Sequence, residues 1–326
     1  MNKLKVAFFG TSDRSIPILE SIKNSDNLEL VLCITKKDSK VGRHQELRET
    51  EVKQWAKKNN IMVTTISSLK GSELEVIIEQ LKASNVEYGL VADFSFIIPY
   101  PLIEYFNGKF INIHFSLLPL YRGACPVQFS ILNGDEMAGI TYLLVDKKLD
   151  SGKIIHQIGY KMTGNETSGE LYQILFELAA KNIPFVIENY NEQQLKPRGQ
   201  DEQAATYTYS PSHPGHTFIY KEDAKINWKM GAVAIERLIR AFNPWPIAWT
   251  NLEELEKNKG LWDQNLLLRQ GIDKKLKLKV YSANVVKDGK KELLKLNEVQ
   301  LEGRNKMDWK TFENGYILQT PVKTAK

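Results

Sequence analysis

The stretch "LKVAFFGTSDRSIPILESIKNSDNLELVLCIT", residues 4–35, decides the predicted fold, because two apolar runs flank a segment with helical spacing. The first run ends at Gly10, and Ile16, Leu19 and Ile22 then recur at the intervals of an amphipathic helix. The second run, "LELVLCIT", is typical of a buried strand. This strand–helix–strand order predicts a mostly parallel sheet with helices on both faces, an α/β fold.

The same alternation continues along the first part of the chain. Further strands are predicted at "IMVTTI", "YGLVADF" and "KFINIHFS", helices at "ETEVKQWAKKNN" and "GSELEVIIEQLKAS", and a hairpin at "GITYLLVD" with "GKIIHQIGYKM". The turn after the first strand carries Gly10 but lacks both the G-x-G-x-x-G pattern and a P-loop lysine. We therefore expect a Rossmann-like sheet that binds neither NAD nor ATP.

A second domain is expected after the polar, turn-rich stretch "NEQQLKPRGQDEQAATYTYSPSHPGHT". Beyond it, "AVAIERLIRAF" is typical of a helix, and "KLKLKVYSANVV" and "ELLKLNEVQLEG" are typical of strands. A chain of 326 residues is also longer than one core usually serves. We predict a catalytic domain over residues 1–190, a linker over 191–215 and a smaller β domain over 216–326.

Composition indicates a globular cytoplasmic protein. The hydrophobic share of 42% and the charged share of 25% are ordinary. No apolar run approaches the ~18 residues of a membrane span. The start, "MNKLKVAFFGTSD", is typical of a first strand rather than a signal peptide. Without an export signal, Cys33 and Cys125 are expected to be reduced thiols.

Charge is distributed unevenly between the two predicted domains. From Pro211 to Lys326 there are 21 Lys and Arg residues against 14 Asp and Glu, a net charge of +7. The other 210 residues hold 23 basic and 25 acidic residues, a net charge of −2. A basic C-terminal part indicates a polyanionic partner such as nucleic acid. The alternative is a lysine-rich solvated surface.

Asn112 and His114 lie one residue apart in "NIHFSLLPLYRG", residues 112–123, so they share one face of a strand. They are near the strand's carboxyl end, where open α/β sheets bind ligands. Asp150 follows 38 residues after Asn112. Such a set suits acyl transfer to an amine: His114 takes the proton, Asn112 polarises the carbonyl, and Asp150 organises the histidine. The substrate amine itself would be the nucleophile.

Each of these polar residues also has an ordinary structural interpretation. An Asn-x-His pair in a strand is commonly a hydrogen-bonded pair without catalytic function, and Ser116 can bond to nearby backbone in a turn. Cys125 is expected to be inert. His213 and His216 form an H-x-x-H in a Pro/Gly stretch, where we expect no metal. Trp245 is expected to pack in the core, with base stacking as the alternative.

The run "NIHFSLLPLYRGACPVQFSILNGDEMAGITYLLVDKKLDSGKII", residues 112–155, resembles the folate-dependent formyltransferases. That family carries Asn-x-His, Ser-Leu-Leu-Pro, Arg-Gly and Leu-Asp-x-Gly at nearly this spacing. The resemblance implies that Asn112, His114 and Asp150 are the catalytic trio and that 10-formyltetrahydrofolate is the donor. It also implies a folate pocket bordered by Ser116, Leu117, Leu118 and Pro119, no covalent enzyme intermediate, and a Rossmann-like domain followed by a small OB-like β-barrel.

The flanking sequences distinguish among branches of this family that act on methionyl-tRNA, glycinamide ribonucleotide or sugar nucleotides. Stretches similar to the methionyl-tRNA branch are "FFGTSDRSIPILESI", "GRHQELRETEVKQWAKKNNI", "IERLIRAFNPWPIAWT" and "LKLNEVQLEGRNKMDWKTFENGY". The resemblance thus implies formyl transfer to the α-amino group of methionyl-initiator tRNA, for translation initiation. The alternatives are a sugar-nucleotide N-formyltransferase and an RNA-binding protein with a decayed formyltransferase site. We expect a monomer.

A basic loop and a basic strand would contact the tRNA. The loop carries Lys36, Lys37, Lys40 and Arg43 against one acid, Asp38, and by resemblance Arg43 would enter the RNA. In the second domain the lysines expected to contact phosphates are Lys274, Lys275, Lys277 and Lys279. Alternation in "KLKLK" predicts that the last three share one strand face. The alternative for both surfaces is simple solvent exposure.

The chain departs from the family pattern at several positions. His44 stands where the family has Gly after Gly-Arg, and "KKDSK" replaces a proline-containing start of the loop. Asp93-Phe94-Ser95 stands where Ala-Tyr-Gly is common, and Ile247 stands where Gly is usual. These departures bear on the loop's contacts and on the shape of the folate pocket, and none falls on the predicted trio.

Overall fold

The structure, a computed structural model, describes residues 2–41, 45–258 and 267–318. The chain divides into two compact units, each built from separate stretches of sequence. The first unit comprises Met1–Gly123, Met137–Lys161 and Tyr172–Tyr207. The second unit comprises Ala124–Glu136, Met162–Leu171 and Thr208–Lys326.

The strands alternate with helices along most of the chain. The strands are β1 (Leu4–Phe9), β2 (Leu28–Lys36), β3 (Ser39–Val41), β4 (Glu46–Arg48), β5 (Met62–Ile66), β6 (Tyr88–Val91), β7 (Phe110–His114), β8 (Met137–Leu144), β9 (Ile154–Lys161), β10 (Ala248–Asn251), β11 (Lys277–Asp288), β12 (Lys291–Leu301) and β13 (Met307–Asp308). The α-helices are α1 (Ile16–Lys23), α2 (Glu51–Lys58), α3 (Gly71–Ala83), α4 (Tyr100–Phe106), α5 (Pro126–Asn133), α6 (Ser168–Asn191), α7 (Ala232–Ala241), α8 (Leu252–Lys257) and α9 (Trp309–Tyr316).

A seven-stranded sheet forms the centre of the first unit, in the order β5–β2–β1–β6–β7–β8–β9. The pairs from β5 through β7 are parallel, whereas β7–β8 and β8–β9 are antiparallel. Strand order runs in opposite directions on the two sides of the β1–β6 pair. Such a switch point opens a crevice at the carboxyl ends of the strands, where open α/β sheets bind ligands. The predicted Rossmann-like, mostly parallel sheet is confirmed.

Local sequence explains these elements. Val6, Ala7, Phe8 and Phe9 of β1 are completely buried, as expected for a central parallel strand covered on both faces. Helix α2 begins after Thr50, whose hydroxyl accepts from the backbone N–H of Lys53. Its buried side chains, Val52, Trp55 and Ala56, follow the helical repeat.

The second unit contains a four-stranded antiparallel sheet in the order β10–β11–β12–β13. Helix α7 contributes Ile235, Leu238 and Ile239 to its core, and α5 packs against α7. Gly134 ends α5 at φ +72°, a conformation that favours glycine, and the Arg237 guanidinium donates to the adjacent carbonyl oxygen of Asn133. The predicted β-rich C-terminal part is confirmed.

Two expectations for this unit are wrong. Trp245 was expected in the core, but its side chain is 52% exposed. Lys275 was expected to share a strand face with Lys277 and Lys279, but β11 begins only at Lys277. The turn before the strand, in which the Asp273 carboxylate accepts from the N–H of Lys275, takes that lysine out of the alternation.

Within the described ranges, no helix is both long and apolar enough to cross a membrane. Cys33 and Cys125 are not joined by a disulfide. Burial raises the pKa of Cys33 to about 12, so this thiol stays protonated and inert at neutral pH.

Candidate active site

Strand β7 presents Asn112 and His114 from one face of the sheet, as the spacing predicts. Asn112 lies beside Val91 of β6 and Leu143 of β8, and His114 lies beside Thr141. His114 is only 6% exposed, whereas Asn112 is partly exposed. The pair therefore lies where a parallel neighbour and an antiparallel neighbour meet, at the carboxyl end of β7.

The two nitrogens of the His114 ring have different partners. Nε2 lies 2.9 Å from the carbonyl oxygen of Tyr121, and Nδ1 lies 3.6 Å from Oδ2 of Asp150. A carbonyl oxygen only accepts, so Nε2 carries the proton of the neutral ring. The lone pair is then on Nδ1, which is the atom that can take a proton. The resulting imidazolium would face the Asp150 carboxylate.

Asp150 is held in place through its carboxylate. The backbone N–H of Gly123 donates to Oδ2 at 2.8 Å, and the Asn112 amide donates to Oδ1 at 3.3 Å. The structure thus brings Asn112, His114 and Asp150 together although 38 residues separate the first from the last. An amide has two N–H donors, and no described residue accepts the second one of Asn112 at this site. Catalysis by the three residues stays a prediction.

The loop after β7 contains the residues predicted to border a folate pocket. The Ser116 hydroxyl donates to the carbonyl oxygen of Leu120 at 2.6 Å, so it serves the local turn. Leu118 is 3% exposed and packs with Leu143 and Ile154. Leu117 and Pro119 are partly exposed. Of these four residues, Leu117 and Pro119 are therefore the ones exposed enough to contact a ligand.

This loop is fastened to β8 and β9. Thr141 donates to the carbonyl oxygen of Ser116 at 2.6 Å and accepts from the N–H of Leu118 at 3.1 Å. The Gln157 amide donates to the carbonyl oxygen of Leu118 at 2.8 Å. Buried polar groups are thus satisfied, which fixes the loop beside His114.

Sequence reasoning missed the site's buried arginine. Arg122 follows the loop and its side chain is 1% exposed. Its guanidinium donates to Gln200, Glu202 and Tyr207, and the hydrogen bond to Glu202 is the main cause that raises the Arg122 pKa. Residues 200–207 lie in the stretch predicted to be a linker. The quoted Arg-Gly motif was the available signal, because a buried arginine needs acceptors.

The departure at Asp93 has a structural explanation at the switch point. The Asp93 carboxylate is 2.6 Å from Nη2 of Arg14, whose guanidinium carbon lies 4.1 Å from the centre of the Tyr172 ring. Asp93 has φ +48°, and its carbonyl oxygen accepts from the Thr11 hydroxyl, which also bonds to Ser95. The negative charge of Asp93 is therefore neutralised by the guanidinium of Arg14, which follows β1 in the chain.

The predicted tRNA-contacting loop is described only in part. Arg43 and His44 lie outside the described residues. Lys37 forms a 2.6 Å ion pair with Glu73, and this hydrogen bond is the main reason that the pKa of Glu73 falls to about 2. Lys36 is partly buried at the end of β2, whereas Lys40 is exposed in β3. Lys37 is therefore already neutralised, and Lys40 is the more accessible cation.

The basic strand of the second unit carries an aromatic neighbour. The Lys277 ammonium lies 4.4 Å from the centre of the Trp249 ring, and Trp249 pairs across the sheet with Lys279. Lys274 instead forms an ion pair with Glu256. Exposed lysines beside an aromatic ring suit a nucleic acid backbone, and they also suit an ordinary sheet surface.

Among the described side chains, no group of three or more His, Cys, Asp or Glu residues is placed to hold a metal ion. The imidazoles of His213 and His216 instead contact Tyr220: the first stacks on its ring with centres 3.9 Å apart, and the second bonds to its hydroxyl.

Comparison with known proteins identifies the family. The family model described as "Formyl transferase" matches residues 4–207, and "Formyl transferase, C-terminal domain" matches residues 218–317. The chain belongs to the formyl transferase family. The resemblance deduced from the Asn-x-His and Leu-Asp-x-Gly motifs is therefore confirmed.

Curated members of the family include two similar proteins from Legionella pneumophila. The methionyl-tRNA formyltransferases of strains Philadelphia 1 and Paris are each 34% identical to this chain over 255 residues, which is 78% of this chain and 77% of each relative.

Solved structures share the fold of this family member. The N-formyltransferase from Helicobacter canadensis, in complex with folinic acid and dTDP-3-aminofucose, gives a TM-score of 0.56 at 22% identity, covering 97% of this chain and 98% of its own. Methionyl-tRNA formyltransferase from Clostridium thermocellum gives a TM-score of 0.53 at 18% identity, covering 91% of this chain and 98% of its own. At such identities the likeness extends to the fold alone.

Proposed function

We propose that this protein transfers the formyl group of 10-formyltetrahydrofolate to the α-amino group of methionyl-initiator tRNA. One observation carries the proposal: Asn112, His114 and Asp150 meet at the carboxyl end of β7 in a member of the formyl transferase family. The acceptor is supported by the curated relatives, which are methionyl-tRNA formyltransferases matched over most of their length.

The reaction needs a general base and a donor to an oxyanion, and the three side chains supply both. The amine attacks the formyl carbon, and the second N–H of Asn112 stabilises the oxygen as it becomes negative. Nδ1 of His114 takes the proton from the attacking nitrogen, and Asp150 stabilises the imidazolium. The bond from carbon to N10 of the folate then breaks, and N10 takes the proton from His114. No covalent bond to the enzyme forms.

The donor's binding region is proposed at the loop that follows β7. Leu117 and Pro119 are partly exposed there, close in sequence to the partly exposed amide of Asn112. Ser116 shapes this loop through its hydrogen bond within the turn, and Leu118 does so by packing in the core. We propose no metal for this reaction, because the substrate amine, His114 and Asn112 supply the nucleophile, the base and the oxyanion donor.

The tRNA is proposed to bind through the basic loop, with Arg43 entering the RNA and Lys36, Lys37 and Lys40 near phosphates. Lys277 and Lys279 of β11 would contact phosphates in the second unit, where their side chains are exposed. We further propose that the protein acts as a monomer in the cytoplasm. The catalytic part would be residues 1–190, with 191–215 as a connector and 216–326 as the tRNA-binding part.

The test is a formyl-transfer assay with the purified full chain and 10-formyltetrahydrofolate. Charged initiator methionyl-tRNA and an amino-sugar nucleotide are offered in parallel. Formylation of the methionyl-tRNA alone is expected. Formylation of the sugar alone would retain the formyl-transfer chemistry and overturn the acceptor. An RNA that binds tightly without any formyl transfer would indicate the decayed, non-catalytic alternative.

A further inference from the structure

Gln200 connects a buried arginine to the turn that carries Asp150. Its Oε1 accepts from Nε of Arg122 at 3.1 Å and from Nη2 at 2.8 Å. Its Nε2 donates to the carbonyl oxygen of Asp150 at 2.7 Å and to that of Gly152 at 2.8 Å. All four residues belong to the first unit. Gln200 itself makes no contact with His114 or Asn112 among the hydrogen bonds described.

The orientation of the Gln200 amide is fixed by chemistry. A guanidinium can only donate, so the oxygen of Gln200 must face Arg122 and its nitrogen must face the turn. Arg122 is held in turn by Glu202 at 2.7 Å and by the Tyr207 hydroxyl at 3.0 Å. The Gln200 amide therefore has one arrangement in which every polar partner is satisfied.

The turn has an unusual backbone that needs such support. Asp150 has φ +50°, which is rare for a residue with a side chain. At Gly152, an added Cβ would lie 1.7 Å from the carbonyl oxygen of Leu144. The backbone of the turn is therefore too close to that of Leu144 for a side chain at this position. Gln200 donates to the carbonyl oxygens of these same two residues, Asp150 and Gly152.

Two adjacent residues, Arg122 and Gly123, hold Asp150 in place through different groups. Gly123 donates its N–H to the carboxylate, while the side chain of the preceding residue, Arg122, reaches the Asp150 backbone through Gln200. A displacement of the turn would therefore change the 3.6 Å separation between Asp150 Oδ2 and Nδ1 of His114. Small displacements at reacting groups act on the chemical step rather than on binding.

We infer that Gln200 is a positioning residue for formyl transfer: it holds the turn that aims the Asp150 carboxylate at His114. The inference rests on the proposed function, since it assigns Gln200 a role in that reaction. It concerns the transfer step, so it holds for whichever amine is the acceptor. Gln200 does not touch the substrate in this role.

Two substitutions separate positioning from simpler roles. Gln200→Glu keeps acceptors for Arg122 and removes the donors to the turn, whereas Gln200→Ala removes both without adding charge. If Gln200 positions the turn, both variants lower kcat on the order of 10- to 100-fold, with KM for folate and tRNA nearly unchanged. Gln203→Glu is the matched control, because it adds the same charge at an exposed position three residues away. We expect this variant to have the kcat of the wild type.

Each contrary result has a distinct meaning. Wild-type kcat in Gln200→Glu with a loss in Gln200→Ala would reduce Gln200 to an anchor for Arg122 and overturn the inference. Wild-type kcat in Gln200→Ala would overturn it as well, since a loss in Gln200→Glu would then be due to charge. If Gln200→Glu does not fold, Gln200→Ala decides by the same criterion. A wild-type enzyme inactive with both acceptor amines would instead overturn the proposed function.

Discussion

The carbonyl oxygen of Tyr121, 2.9 Å from Nε2 of His114, fixes which ring nitrogen can act as the base. The sequence-based hypothesis gave Asp150 the task of orienting the histidine. In the structure a backbone group selects the tautomer, and Asp150 lies 3.6 Å from the other nitrogen, where a positive charge would form. Tautomer selection and charge stabilisation are thus divided between two groups.

His114→Ala should lower kcat by about 10² to 10⁴-fold and leave tRNA affinity nearly unchanged, because a general base acts on the chemical step. Single-turnover formyl transfer and a separate tRNA-binding titration measure the two quantities. His156→Ala is the control, since that ring lies 5.9 Å from Phe185 of α6 and contacts no residue of the trio in the described bonds. A large tRNA-binding defect with normal turnover would contradict the assignment.

Arg43→Ala should raise KM for methionyl-tRNA and leave folate binding unchanged, because the resemblance places this side chain on the RNA. Steady-state kinetics with each substrate varied in turn separates the two effects. A fall in folate affinity with unchanged use of tRNA would show that the loop serves the donor.

Lys40→Ala should weaken tRNA binding more than Lys37→Ala. Lys37 is paired with Glu73, so a phosphate must displace that carboxylate, whereas Lys40 is exposed. Loss of one phosphate contact should also reduce the slope of log affinity against log salt by about 1. Affinities measured at several salt concentrations test this, and equal effects of the two substitutions would refute the distinction.

Glu73→Gln should destabilise the protein at pH 7, with a penalty that disappears in acid. The pKa of Glu73 falls from 4.5 to about 2, chiefly through the hydrogen bond from Lys37 and then that from the N–H of Ser68. Because the folded-state pKa is lowered, the stabilisation is complete above pH 4.5 and is lost as the pH falls towards 2. Urea midpoints across this range provide the measurement. Glu79→Gln, at an exposed position of the same helix, is the control for removing a surface carboxylate.

Gly152→Ala should impair both stability and catalysis. The new Cβ would meet the carbonyl oxygen of Leu144 at 1.7 Å, so the turn must shift, at a cost of about 1–3 kcal/mol in the free energy of unfolding. Asp150 would move with the turn, and kcat should fall. Thermal melts and kcat are compared with Gly199→Ala, where no described atom outside the two adjoining residues lies within 4 Å of the added Cβ. Equal behaviour of the two variants would show that the close approach has no consequence.

Local sequence patterns predicted the alternation of strands and helices and the shared face of Asn112 and His114. They did not predict α4 and α5, because short helices between strands carry few apolar repeats. Trp245 illustrates a second limit: large aromatic residues are usually buried, and only tertiary structure shows that this one is not.

The missed contacts of the site join residues far apart in sequence. Arg14 and Asp93 are separated by 79 positions, and Arg122 and Gln200 by 78. Periodicity describes a single element and carries no information on such pairs, so a motif can mark Arg122 as notable without revealing its partners. The Tyr121 carbonyl is harder still to foresee, since a backbone acceptor has no signature in the side-chain sequence.

The interleaved composition of the two units bears on recombination. Residues Ala124–Glu136 and Met162–Leu171 are embedded in the first part of the chain but belong to the second unit, where α5 packs against α7. If residues 1–207 were fused to the C-terminal part of another protein, α5 would be retained but α7, the helix it packs against, would be replaced. Exchange of the segment after residue 207 would therefore have to keep the surface of α7 that packs against α5.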